Sequence, residues 1–170
     1  MNNRMIPEIS NGKMSTSKIS RIFACRSVFG NELKMLPQGI FNNLKDLKYL
    51  LLFDNKLQNL SSTIFGDLTS LTILSLSVNQ LSHLPPNIFK ENKNLEWLEL
   101  NDNNLDELAN NLFRGMRNLT GLWLRNNKVK SLTPDLFSDL INLDDLDLSN
   151  NEIKNLPQGS FEGLTKLKKL

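Results

Sequence analysis

The stretch Leu95-Glu96-Trp97-Leu98-Glu99-Leu100-Asn101-Asp102-Asn103-Asn104-Leu105 decides how this chain folds. It has leucine at its first, fourth and sixth places, asparagine at the ninth and leucine at the eleventh. The same frame recurs at steps of 24 residues, over 47–57 (LKYLLLFDNKL), 71–81 (LTILSLSVNQL), 119–129 (LTGLWLRNNKV) and 143–153 (LDDLDLSNNEI). Counting the leading leucine as position 1, another leucine stands at position 14 (Leu60, Leu84, Leu108, Leu132, Leu156). A phenylalanine stands at position 19 (Phe41, Phe65, Phe89, Phe113, Phe137, Phe161). Several columns in one register define an internal repeat, and a period of this length means stacked structural units.

The spacing carries its own physics. Leu-x-Leu has period two, so positions 4 and 6 point one way and positions 3, 5 and 7 the other. A strand that short is unstable alone. Stacked in parallel with its neighbours, it buries the leucines and exposes the odd positions. The asparagine column (Asn31, Asn55, Asn79, Asn103, Asn127, Asn151) sits where the chain leaves each strand. There a side-chain amide can pair backbone groups that would otherwise be buried without partners. The return path, filled by positions 18 and 19, is bulkier than a strand, so the stack should curve with the sheet inside. The expected fold is an α/β repeat solenoid, with a parallel sheet on the concave face and irregular or short helical segments on the convex face. Units begin at residues 23, 47, 71, 95, 119 and 143, and a partial unit begins at 167. The first is degraded, with Arg26 at position 4 and Val28 at position 6, as a terminal capping unit would be. Residues 1–22 are polar and are expected to be disordered. Asn92, at a position otherwise apolar, reads as a local loop variation.

The 24-residue unit with phenylalanine at position 19 resembles the "typical" extracellular class of the leucine-rich-repeat family. That class includes Toll-like receptor ectodomains, Slit and the variable lymphocyte receptors of jawless fish. The pairs Leu36-Pro37, Leu84-Pro85 and Leu156-Pro157, each followed by a phenylalanine, are similar to that class. The resemblance implies protein–protein recognition at the cell surface or outside the cell, in a receptor ectodomain or a secreted recognition protein. A matrix or adhesion component and an intracellular scaffold are the alternatives. The cysteine-rich flanking caps of the class are missing, Cys25 has no partner, and the last unit is incomplete. A piece of a longer product, able to self-associate through uncapped ends, is therefore expected.

Composition excludes other classes. Twenty Lys and Arg against 18 Asp and Glu give a net charge of only +2, which argues for no nucleic-acid partner. A single cysteine forms no intrachain disulfide or cysteine-based zinc cluster. No apolar run reaches the roughly 20 residues of a membrane span, and Met1–Ser20 lacks the apolar core of a signal peptide. The lone His83 falls on a loop, away from any exposed serine and aspartate that could complete a triad, so no enzyme, metal or cofactor is expected. Clustered carboxylates on a flat sheet cannot wrap a Ca²⁺ ion with six to eight oxygens. Asn59-Leu60-Ser61 and Asn118-Leu119-Thr120 match the glycosylation sequon, a weak signal in an asparagine-rich chain.

Function must then lie in the residues that vary on the strand face. Tyr49, Leu51, Phe53 and Ile73 make its first half apolar, and Trp97 and Trp123 continue the aromatic character. Exposed aromatics on a rigid sheet are common binding anchors. Glu99, Asp145 and Asp147 face outward further along, joined by Glu96, Asp102 and Asp144, which favours a protein partner with a basic surface. Gly121 beside Trp97 should leave an open notch bordered by Trp123, with Glu99 nearby and Arg125 at its rim. Asn101 and Asn126 lie off the asparagine ladder and are expected to contribute little to stability.

Overall fold

A computed structural model of the chain describes residues 25–170; the segment 1–22 expected to be disordered, and residues 23–24 of the first unit, lie outside the described residues. Six three-residue strands appear at the 24-residue step. They are β1 (Cys25–Ser27), β2 (Tyr49–Leu51), β3 (Ile73–Ser75), β4 (Trp97–Glu99), β5 (Gly121–Trp123) and β6 (Asp145–Asp147). They form one parallel sheet in sequence order. Registry is strict: Trp97 pairs with Gly121, Leu98 with Leu122 and Glu99 with Trp123. One bridge, Asp145 to Lys169, continues the sheet into the seventh unit. The chain is thus a solenoid with its sheet on the concave face.

Burial follows the leucine frame. From the second unit to the fifth, positions 1, 4, 6 and 11 are buried throughout. The phenylalanines stack into a spine, with ring centroids 6.1 Å apart for both Phe65–Phe89 and Phe113–Phe137. Each buried leucine contributes about 1.5–3 kcal/mol of apolar transfer free energy, so the stack of columns, not any single strand, holds the sheet. In the sixth unit the cover thins: Leu148 and Ile153 are only partly buried and Leu156 is exposed.

The return path takes the irregular of the two forms expected. Among the described residues there is no helix; the convex side is built of turns. Its backbone bonds span three residues and advance by two or three at a time: Ile64 N–H to Ser61, Gly66 to Thr63, Leu68 to Phe65 and Leu71 to Leu68. A helix needs one such bond per residue. The prolines and the left-handed residues Gly39, Asn43, Asn87 and Gly115 also break any continuous run.

The asparagine column binds unit to unit. Asn103 Nδ2 donates to the carbonyls of Leu100 and Asn101 in its own unit and of Leu76 in the unit before. Its Oδ1 accepts the Leu81 N–H, also in the unit before. Asn55, Asn79, Asn127 and Asn151 repeat this pattern. Asn31 is exposed and, among the described residues, bonds only the Phe29 carbonyl. Two further asparagine features lie outside the ladder. Asn94, Asn118 and Asn142 donate along the outer edge to Thr69, Lys93 and Arg117 of the preceding units. Asn92 is fully buried and donates to the Phe65 and Leu68 carbonyls, so it is a core residue rather than a loop variation.

Candidate binding surface

Each strand presents its odd residues to the concave side, but with unequal exposure. Tyr49 and Trp97 stand out, at 38% and 45% exposure, and Phe29, just past β1, reaches 50%. Leu51, Phe53, Ile73, Glu99, Trp123, Asp145 and Asp147 are half-buried, and Arg125 is exposed. Ser75, Ser77 and Gly121 are buried, against the simple alternation. The aromatics are what cover part of this row. Phe29 and Phe53 stack nearly parallel at 4.5 Å. Trp97 and Trp123 lie 5.0 Å apart with their planes tilted by 43°.

That tilted pair corrects the expected notch. A Cβ placed on Gly121 would lie 2.5 Å from Trp123 Cη2 and 2.9 Å from Cζ3. The Trp123 indole therefore lies across Gly121 and fills the space beside Trp97. The two rings close over the glycine, because covering one another removes apolar area from water that an open notch would leave wet. Glycine is required here for close approach, not to receive a guest.

The acidic floor is also smaller than its count of carboxylates. Asp144 pairs with Lys168 at 3.3 Å and Asp145 with Lys169 at 2.9 Å. Asp145 in turn raises the Lys169 ammonium above its ordinary pKa by accepting its hydrogen bond. Asp147 accepts the Ser149 N–H and hydroxyl. Glu99 accepts the Ser75 hydroxyl at 2.6 Å, and Asp102 accepts the Asn126 amide at 2.7 Å. Neither Glu99 nor Asp102 meets a cationic partner among the described residues.

Asn101 and Asn126, off the ladder, each make a hydrogen bond to a neighbouring unit. Asn101 Oδ1 accepts the Arg125 N–H. Asn126 belongs to a column at position 8 whose backbone is left-handed in every described unit: Gly30, Asp54, Val78, Asp102, Asn126 and Asn150 all have φ between +53° and +67°. Glycine, asparagine and aspartate tolerate that region, whereas β-branched Val78 does not. The composition of the column was a readable signal that went unread.

Between the two aromatic pairs lies a recess of about 370 Å³, lined by Phe53, Ser77, Glu99, Asn101, Asp102 and Trp123. It brings Phe53, Glu99 and Trp123 together. Ser77 was missed: a run of two small residues, Ser75 and Ser77, in one unit between bulky neighbours marks it in the sequence. Asn59 and Asn118 of the sequons are both exposed on other surfaces, with Asn118 engaged in the outer-edge bonds. His83 is exposed and contacts Ser82. Among the described residues no group of three or more His, Cys, Asp or Glu could hold a metal ion, and no helix is long and apolar enough to cross a membrane.

The family model described as "Leucine rich repeat" matches residues 28–81, 69–129 and 117–170. The chain belongs to the leucine-rich repeat family. Among solved structures, this leucine-rich repeat chain is similar to TLR13 in its complex with ssRNA13, with TM-score 0.76 and 30% identity. That match covers 82% of this chain and 20% of TLR13. An internalin, InlF of Listeria monocytogenes, shares the fold with TM-score 0.68 and 24% identity, over 83% of this chain and 38% of the internalin. This leucine-rich repeat chain thus spans well under half the length of either. No curated protein matches it.

Proposed function

We propose that this leucine-rich repeat chain is a protein-binding module that takes its partner on the concave sheet, as part of a receptor ectodomain or a secreted recognition protein. The observation that carries this is the row of large side chains left partly open to water along a rigid sheet, with Trp97 and Tyr49 the most exposed residues of β2–β6. Backbone registry fixes their positions, so a partner need not order them on binding, which lowers the entropic cost of association. The resemblance to the extracellular class supports a setting outside the cell or at its surface. The structure of TLR13 holds single-stranded RNA. Here the outward positions of β2–β6 carry Glu99, Asp145 and Asp147 and no cation, and Arg125 follows just past β5. A phosphate backbone needs positive charge along its track, so a protein partner fits this face better.

Panning the chain against a displayed protein library, with a single-stranded RNA oligomer run in parallel, tests the proposal. Hydrogen exchange then maps the bound surface. The expected binders protect amides across β2–β5 and lose about thirtyfold or more in affinity with Trp97→Ala. Lys90→Ala, on an exposed convex turn, leaves them unaffected. Binders that protect only the convex turns, or RNA that binds while no protein does, would overturn it.

A further inference from the structure

The concave sheet is lowest at the exit of β3. Ser75 and Ser77 are small and buried there, while the Phe29–Phe53 stack rises on one side and the Trp97–Trp123 pair on the other. Phe53 and Trp123 belong to strands three steps apart, roughly 14 Å at the usual inter-strand spacing. A long side chain lying across the strands fits that span, whereas a ring clamped between the walls does not.

Three observations set the chemistry of the recess. Glu99 and Asp102 bring two carboxylates that meet no cation among the described residues, while Asp144 and Asp145 are already neutralised by Lys168 and Lys169. The Ser77 hydroxyl on the floor is buried and has no hydrogen-bond partner. The end wall is the indole of Trp123, beside Glu99 in sheet register. Aromatic faces and carboxylates converge on a cation, and an unpartnered hydroxyl at the floor accepts one more donor.

We propose that this recess receives an arginine side chain of the protein partner. The guanidinium hydrogen-bonds Glu99 and Asp102 and lies near the Trp123 face, while the alkyl stem packs on Phe53. Arginine fits better than lysine. It spreads five donors in a plane over several acceptors and stacks on rings, whereas the ammonium is compact and strongly hydrated. The inference rests on the concave-face reading above and specifies what that face selects. Arg125, just past β5 and exposed, opposes an incoming cation and so supplies a variant of opposite sign.

Trp97 and Trp123 are the only tryptophans in the chain, so intrinsic fluorescence reports this face directly. The probes are the tripeptide acetyl-Gly-Arg-Gly-amide and its counterparts with citrulline, the neutral isostere of arginine, and with glutamate. The expected result is a saturable emission change with the arginine peptide, at least about fivefold weaker with citrulline and absent with glutamate. Glu99→Gln and Asp102→Asn each weaken binding by about threefold to tenfold, and Arg125→Ala strengthens it. Both acidic variants preserve the fold: glutamine still accepts the Ser75 hydroxyl, and asparagine already occupies the column of Asp102 at Asn126 and Asn150. Citrulline titrating like arginine, or affinity unchanged in both acidic variants, would overturn the assignment. If the arginine arm fails while panned binders still lose affinity with Trp97→Ala, only the recess assignment falls. If both fail, the concave-face reading falls with it.

Discussion

Replacing Asn103 by alanine tests the principle that holds neighbouring repeats together, and its cost can be worked from the bonds. The side chain serves four backbone groups, but three of them have other partners. The Leu76 carbonyl keeps Asn79, the Leu100 carbonyl keeps Asn127 and the Asn101 carbonyl keeps the Val78 N–H. The Leu81 N–H has only Asn103 Oδ1, at 3.0 Å in the core. One buried donor is therefore orphaned, at about 1–3 kcal/mol, and three carbonyls each lose one of two bonds at smaller cost. The sum is about 2–3 kcal/mol.

Asn31→Ala supplies the contrast within the same column. Among the described residues Asn31 reaches only the Phe29 carbonyl two residues back, and the loss of that one exposed bond costs under about 0.5 kcal/mol. Urea unfolding followed by far-ultraviolet circular dichroism reads both variants. The m-value must stay constant between them, because repeat arrays can lose cooperativity and mimic a stability change. If Asn31→Ala costs as much as Asn103→Ala, or Asn103→Ala costs less than about 0.5 kcal/mol, the bridging account is wrong.

Asn92→Leu should stabilise the chain. Asn92 Oδ1 is buried without a partner, while the carbonyls that Asn92 serves keep the Leu68 and Leu71 N–H groups. A gain of about 1 kcal/mol, or roughly 2–4 °C in Tm by calorimetry, is expected, and a loss of that size would show that the amide bonds outweigh the orphaned oxygen. Val78→Asn should also stabilise, by about 1 kcal/mol, because it relieves a β-branched residue at φ +54°; no change in urea midpoint would mean that the backbone carries no strain there. Gly121→Ala places a methyl group where Trp123 lies and must push the ring outward. Tryptophan emission should shift to longer wavelength while the circular dichroism of the sheet persists, and an unshifted spectrum would contradict the packing of the indole on Gly121.

The fold was legible because it is written six times. A leucine at position 4 or 6 can be read without knowing its neighbours, since the neighbour at the next step is another leucine. Even the partners of Asn103 follow from the column, because every unit repeats them. The concave face is the opposite case. Whether Trp123 lies over Gly121 or stands away from it depends on one pair in one place, and no column repeats it. Likewise, six acidic residues suggested an open acidic floor, but Lys168 and Lys169 close part of it. Those lysines belong to the incomplete seventh unit; the 24-residue step sets them beside Asp144 and Asp145, but whether their ammonium groups reach the carboxylates depends on side-chain geometry. The convex side stayed open between irregular and short helical segments for another reason: spacing of apolar residues does not separate a run of turns from a short helix.

From the second unit to the fifth, three residues break the columns, and the way each break is resolved separates packing from recognition. Asn92 stands in an apolar column, and the core answers it with two hydrogen bonds to the preceding unit. Gly121 stands where other strands carry a side chain, and Trp123 covers it. Val78 stands in a column of residues that tolerate left-handed backbone, and nothing in the fold answers it: its side chain is 47% exposed and gains little burial for the strain. A cost left uncompensated inside the molecule is the kind that a contact outside it can offset. Val78 directly follows Ser77, the floor of the recess, so the unresolved break and the lowest part of the concave face are neighbours in the chain. A bound partner that packs on Val78 would make Val78→Asn stabilise the free chain while weakening the complex. A substitution that raised both stability and affinity would leave the valine without a role in recognition.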